Sequence, residues 1–138
     1  MKFYAVIDTN VLVSALLKRN SAPWQILSES INGTIVPLYN GEILSEYTEV
    51  LLRKKFNFPE NLVLDLLREL SKCGILINAE RTQEQLPDPD DAVFYEVVMS
   101  AREKDEAYLV TGNLKHFPVK PFIVTPREML EIIQNSKS

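Results

Sequence analysis

Apolar residues along this chain fall into two alternating rhythms. Residues 3–7, Phe-Tyr-Ala-Val-Ile, form a strand-length apolar run with no polar alternation, the pattern of a strand buried on both faces. Further strands are predicted at 34–38, 75–79 and 107–111, with a short one at 122–124. Helical spacing fills the intervals. A short helix spans 11–18, and Ser21-Ala22-Pro23 opens a second, with Gly33 beyond its end. From 41 to 55 the positions Ile43, Leu44, Tyr47, Val50 and Leu51 recur at helical period, as do Leu62, Val63, Leu66, Leu67 and Leu70 after Pro59. A fifth helix is predicted over 90–104. The sixth is announced by Thr125-Pro126-Arg127-Glu128, a cap, a first-turn proline and a capping-box glutamate. Strands separated by helices imply an α/β fold with a mainly parallel sheet and helices on both faces.

Composition adds bounds. The 138 residues suit one domain, 1–138, closing in a loose tail from about 135. Cys73 is the sole cysteine, which excludes an internal disulfide and a multi-cysteine zinc site, and it reads as a helix-end core residue. No apolar run approaches a membrane span, so a cytoplasmic protein with no membrane partner is expected. The net charge of -4, from 19 acidic and 15 basic residues, argues against holding long duplex nucleic acid by broad phosphate neutralisation. It leaves room for metal-dependent phosphodiester chemistry, because an acidic metal site repels phosphate only until cations fill it.

In a parallel sheet, the carboxyl ends of strands and the first turns of the following helices gather along one edge. Asp8 ends the first strand there, Asn113 follows the fourth in Val110-Thr111-Gly112-Asn113, and Asp91 begins a helix in Asp88-Pro89-Asp90-Asp91. Of the acids on the third helix, Glu46 falls roughly 100° from the centre of the apolar stripe, against roughly 140° for Glu42 and roughly 160° for Glu49. Glu46 alone borders the buried face. Each position also has a plainer reading. Asp8 or Asn10 can cap the helix that follows, Asp88 can cap the next with Asp91 at its capping-box position, and Asn113 can be a turn residue. The helical wheel puts Asp90 near the apolar axis and Asp91 at its edge, leaving open which faces a site. His116, the single histidine, reads as a surface loop residue.

Together Asp8-Thr9-Asn10-Val11-Leu12, the Glu46 helix, Asp90-Asp91-Ala92 and Val110-Thr111-Gly112-Asn113 resemble the PIN domain, named for the amino terminus of PilT, over nearly the whole chain. The resemblance implies a three-layer α/β/α fold and Mg²⁺- or Mn²⁺-dependent cleavage of RNA. It also implies membership of the branch that includes toxins of type II toxin-antitoxin modules. Carried over by motif, Asp8, Glu46 and Asp91 become the catalytic metal-binding acids, with Asp90 as a neighbouring candidate. Asn113 falls where the resemblance expects a fourth aspartate, and an amide there brings no negative charge, so a second metal should bind more weakly. Thr9, Asn10 and Thr111 are expected to support these ligands by hydrogen bonds. Hard oxygen donors select Mg²⁺ or Mn²⁺, and such an ion acidifies and orients a water for in-line attack on phosphate.

Three functions compete at this level. The first is a metal-dependent ribonuclease, the toxin of a pair, with RNA as substrate, a cognate antitoxin as partner and a homodimer as assembly. Trp24 and the helices between Gly41 and Cys73 would supply the apolar surface for pairing, and the basic residues Lys18, Arg19, Arg53, Lys54 and Lys55 are candidates to meet phosphates. The second is a nuclease-like module that binds RNA or a partner with weak or lost catalysis, motivated by Asn113. The third is a phosphatase of the haloacid dehalogenase type, which needs a second acid two residues beyond the first. That position is Asn10, so this reading ranks last.

Overall fold

The computed structural model describes residues 1–137. Among them, five parallel strands, β1 (Phe3–Ile7), β2 (Ile35–Tyr39), β3 (Ile75–Leu76), β4 (Ala107–Val110) and β5 (Ile123–Val124), lie in the order β3-β2-β1-β4-β5. The helices α1 (Thr9–Leu17), α2 (Ala22–Asn32), α3 (Gly41–Leu51), α4 (Glu60–Cys73), α5 (Ala92–Ala101) and α6 (Pro126–Ser136) flank this sheet. The result is the three-layer α/β/α architecture. Consecutive buried residues Ala5, Val6 and Ile7 in β1 show why its apolar run lacks alternation: both faces are covered. The helix α5 is enclosed as well, with six consecutive residues, 93–98, buried where it packs across β1, β2 and β4.

Local chemistry sets the element ends. Ser21 caps α2 by accepting from Trp24 N–H, and Gly33 closes it at φ 93°, a left-handed geometry that suits glycine. Asn40 caps α3 through Ile43 N–H, and Thr125 and Glu128 form both halves of the capping box on α6.

Several expectations from the sequence are corrected. The strand expected over 75–79 is reduced to Ile75–Leu76 at the sheet edge, with both residues exposed. Ile77 N–H still donates to the Tyr39 carbonyl, but β2 ends at that residue and Asn40 caps α3, so the chain beyond Ile77 has no strand to pair with. The helix expected over 41–55 stops at Leu51, and that expected over 90–104 begins as a 3₁₀ turn, Pro89–Asp91, before α5. α6 continues through Ser136, so residues 135 and 136 are helical where a tail was expected, and Ser138 lies outside the described residues. Cys73 does end α4, but it is half-buried rather than in the core. No described helix is long and apolar enough to cross a membrane.

Candidate metal centre

The strand order reverses direction between β1 and β4, and a parallel sheet opens a crevice at such a point, beyond the carboxyl ends of its strands. Asp8 emerges there from β1. Its backbone N–H extends the ladder to the Val110 carbonyl at 2.9 Å, which holds it directly beside the end of β4. Asp8 occupies the cap position of α1, yet its side chain makes no cap hydrogen bond. Its carboxylate instead accepts from Thr111 Oγ1 at 2.8 Å and from Asn10 Nδ2 at 3.2 Å. The capping alternative for this aspartate is therefore set aside.

Neighbouring residues brace that arrangement. Asn10 accepts from Gly112 N–H at 3.0 Å through its own carbonyl oxygen, tying the start of α1 to the loop after β4. The Thr111 hydroxyl accepts from Asn113 N–H at 3.0 Å while donating to Asp8. On the opposite wall, the buried Tyr47 hydroxyl donates to the Ile7 carbonyl and so locks α3 against the end of β1. One residue earlier, the Glu46 carboxylate accepts from the Thr9 hydroxyl. Glu42 and Glu49 lie outside, paired with Arg81 and Arg53 at 2.9 Å. The wheel separated these three acids correctly.

The third wall is the turn before α5. Asp88 accepts from Asp90 N–H at 3.0 Å, so it caps the turn as its sequence context suggested. Asp91 does not complete a capping box; its Oδ2 lies 3.0 Å from His116 Nδ1. Of the adjacent pair, Asp90 is exposed and Asp91 half-buried. The 3₁₀ geometry explains the difference from the wheel, which assumed 100° per residue through a segment that turns about 120°. His116 is a surface residue with an added role. Its side chain is 40% exposed, as expected of a surface residue, yet the 3₁₀ turn Leu114–His116 also sets its ring at the cleft, against Asp91 and 3.1 Å from Asn113 Nδ2. The signal in sequence was its place one turn beyond Asn113, on a loop whose shape periodicity does not report.

Asp8, Thr9, Asn10, Glu46, Asp88, Asp90, Asp91, Asn113 and His116 thus line one open cleft of about 370 Å³, with Phe56 on its rim. Its acids resist ionisation. Burial pushes the Asp8 carboxyl up to about 6, opposed by the Thr111 hydrogen bond and reinforced by the charge of Asp91. Burial also raises Glu46, against the hydrogen bond from Thr9 and with the charges of Asp8, Asp90 and Glu49. Asp91 is raised by burial and by Asp88, and lowered by His116. Among the described residues, no lysine or arginine forms an ion pair with Asp8, Glu46 or Asp91. Clustered carboxylates without a cationic partner, held by neutral hydroxyl and amide donors, are the donor set that a hard divalent cation satisfies.

The chain is 29% identical over 146 aligned positions to an uncharacterized protein of Methanocaldococcus jannaschii, an alignment that covers 95% of this chain and 92% of that one. No solved structure matches the chain. The family model for the PIN domain, a nuclease-type fold, matches residues 4–115, a span that holds Asp8, Glu46, Asp91 and Asn113. The chain belongs to the PIN domain family.

Proposed function

We propose that this chain is a Mg²⁺- or Mn²⁺-dependent endoribonuclease. The observation that carries the reading is the convergence of Asp8, Glu46 and Asp91 on one cleft where, among the described residues, no lysine or arginine is paired to them. These three carboxylates would hold the cation, with Asp90 and Asn113 beside them. When bound, the divalent ion supplies an acidified water and neutralises charge on the phosphate and the leaving oxygen. The chain's own residues do the rest. Thr111 and Asn10 both donate to the same oxygen of Asp8, Oδ2, and so fix the orientation of its carboxylate at the cleft. Thr9 aims Glu46 in the same way, and an ionised carboxylate here can take the proton of the attacking water. Arg53, Lys54 and Lys55 follow α3 directly before Phe56, so phosphates can meet positive charge next to an aromatic ring at the mouth of the site.

The toxin role belongs to the same reading: a cytoplasmic ribonuclease covered by a cognate antitoxin and assembled as a homodimer. An apolar groove of about 560 Å³ walled by Trp24, Leu27, Leu62 and Leu66 supports the pairing of two copies. The test is a Mg²⁺ and Mn²⁺ titration of the purified chain with end-labelled single-stranded RNA. Cleavage should appear with either ion, vanish with chelator, and fall at least about 100-fold in Asp8→Asn with the circular dichroism spectrum preserved. Turnover unchanged in that variant would sink the assignment. RNA binding without a cut at any metal concentration would select the non-catalytic module instead.

A further inference from the structure

We propose that His116 is a nitrogen ligand in this cleft, and that with Asp88 and Asp91 it biases the site toward Mn²⁺ over Mg²⁺. The inference rests on the metal-dependent reading above and adds a determinant of metal selectivity that the all-oxygen set of acids lacks. One ligand atom each from Asp88, Asp91 and His116 lies within 4.8 Å of the other two. His116 Nδ1 is 3.0 Å from Asp91 Oδ2. That separation suits a hydrogen bond, and it is also the spacing of about 3.0 Å between adjacent ligands around an octahedral ion with bonds of about 2.1 Å.

The fold holds the ring there. Asn113 N–H is anchored on the Thr111 hydroxyl, His116 N–H closes the turn on the Asn113 carbonyl at 3.0 Å, and the next residue, Phe117, is buried. On the other side of the ring, the Asn113 side-chain amide lies 3.1 Å from Nε2; turned with its oxygen to the ring it accepts from Nε2–H, the tautomer whose Nδ1 lone pair faces the carboxylates. Asn113 thereby acquires a role suited to an amide: it orients the imidazole. A mixed nitrogen and oxygen donor set shifts preference along the divalent series from Mg²⁺, which seeks oxygen and water, toward Mn²⁺ and the later metals.

The chain contains one histidine, so any imidazole nitrogen bound to a metal identifies His116 without further assignment. The experiment is electron spin echo spectroscopy of Mn²⁺ bound to the full, tag-free chain, with calorimetric titration of Mn²⁺ and Mg²⁺. The wild type should show ¹⁴N modulation from a directly bound imidazole. His116→Ala should lose it and bind Mn²⁺ about 10-fold more weakly, while Mg²⁺ affinity changes by less than about 3-fold. His116→Asp should also lack the nitrogen signal but bind Mg²⁺ more tightly than the wild type. If His116 serves only as a hydrogen-bond partner of Asp91, the wild type shows no ¹⁴N modulation and His116→Ala weakens both ions alike; either result overturns the proposal. Wild-type chain that binds neither ion overturns it too. A nitrogen signal without RNA cleavage by either ion retires the nuclease reading and leaves the ligand assignment standing, whereas cleavage without the signal does the reverse.

Discussion

Asp8 is 4% exposed and its carboxylate accepts from Thr111 and Asn10, yet burial still holds it near 6 rather than at its ordinary 3.8. An acid whose folded value lies above its unfolded one favours the fold while protonated. The penalty is absent below about 4, grows as pH rises through the folded value, and is complete above about 6, where two units amount to about 3 kcal/mol. Asp8→Asn removes this penalty and keeps a carbonyl oxygen to accept from Thr111. In chelator, the variant should melt several degrees above wild type at pH 8, by about 2–3 kcal/mol, with the gain gone at pH 4; a variant less stable at pH 8 would contradict the account. Thr111→Val tests the opposite side of the same bond. The buried hydroxyl both donates to Asp8 and accepts from Asn113 N–H, so its loss should cost about 1–3 kcal/mol at neutral pH by thermal melting and about 10-fold or more in metal affinity by calorimetry. An unchanged affinity would show that the hydroxyl does not position the carboxylate. At this scale Asp8 and Glu46 were legible because a strand end and a helical wheel fix where a side chain emerges. Asp91 was named by the motif but not separated from Asp90 by periodicity, and the part His116 plays at the cleft was not named at all, because each is aimed by a 3₁₀ turn whose pitch a hydrophobic pattern does not report.

The elements that present these residues are held by contacts of unequal kind. α4 ends against β2 so closely that a Cβ on Gly74 would stand 2.3 Å from the Pro37 carbonyl oxygen and 2.9 Å from that of Leu70. Both obstacles are backbone. Gly74→Ala should therefore destabilise the fold by about 1–3 kcal/mol, read as a lower urea midpoint at unchanged slope, and a neutral substitution would mean that α4 slides freely over the sheet. The strand periods disclosed β1, β2 and β4, whose cores are continuous, and the capping signals disclosed the start of α2 and the whole entry to α6. They misjudged β3, because Ile75 to Ala79 is apolar enough for five paired residues while its partner strand ends at Tyr39, where Asn40 turns the chain into α3. The chain released after β3 runs to the turn that delivers Asp91. It is fastened by the Glu96 carboxylate, which accepts from Thr82 N–H at 2.9 Å, and by Arg81, which spans Glu42 and Glu96. Here the fold is anchored through side chains, not through a ladder, so no strand pattern could announce it.

Across the whole molecule a net charge of -4 coexists with the proposed RNA substrate, itself a polyanion, so on that reading its approach has to be local rather than global. The segment after α3 is where the two are reconciled. Lys54 and Lys55 are exposed, the Lys55 ammonium sits 5.1 Å from the Phe56 ring centroid, and Phe56 stacks at 5.5 Å on Phe58 while lining the cleft. Charge and aromatic surface adjoin the carboxylates there, the combination that grips single strands by phosphate contact and base stacking. Each lysine that neutralises one phosphate adds about 0.7 to the slope of log affinity against log salt, so Lys54→Ala with Lys55→Ala should lower that slope by about 1.4. Fluorescence anisotropy of a labelled single-stranded RNA across a KCl series measures it, with Asp8→Asn as the parent so that the probe stays whole. Phe56→Ala in the same parent should weaken binding by about 1–3 kcal/mol and leave the slope intact, because stacking carries no counterion release. A lysine pair whose removal leaves the slope unaltered would move the RNA path to another face of the cleft. The Phe56 result would then decide whether that path still crosses the aromatic rim or avoids α3 altogether.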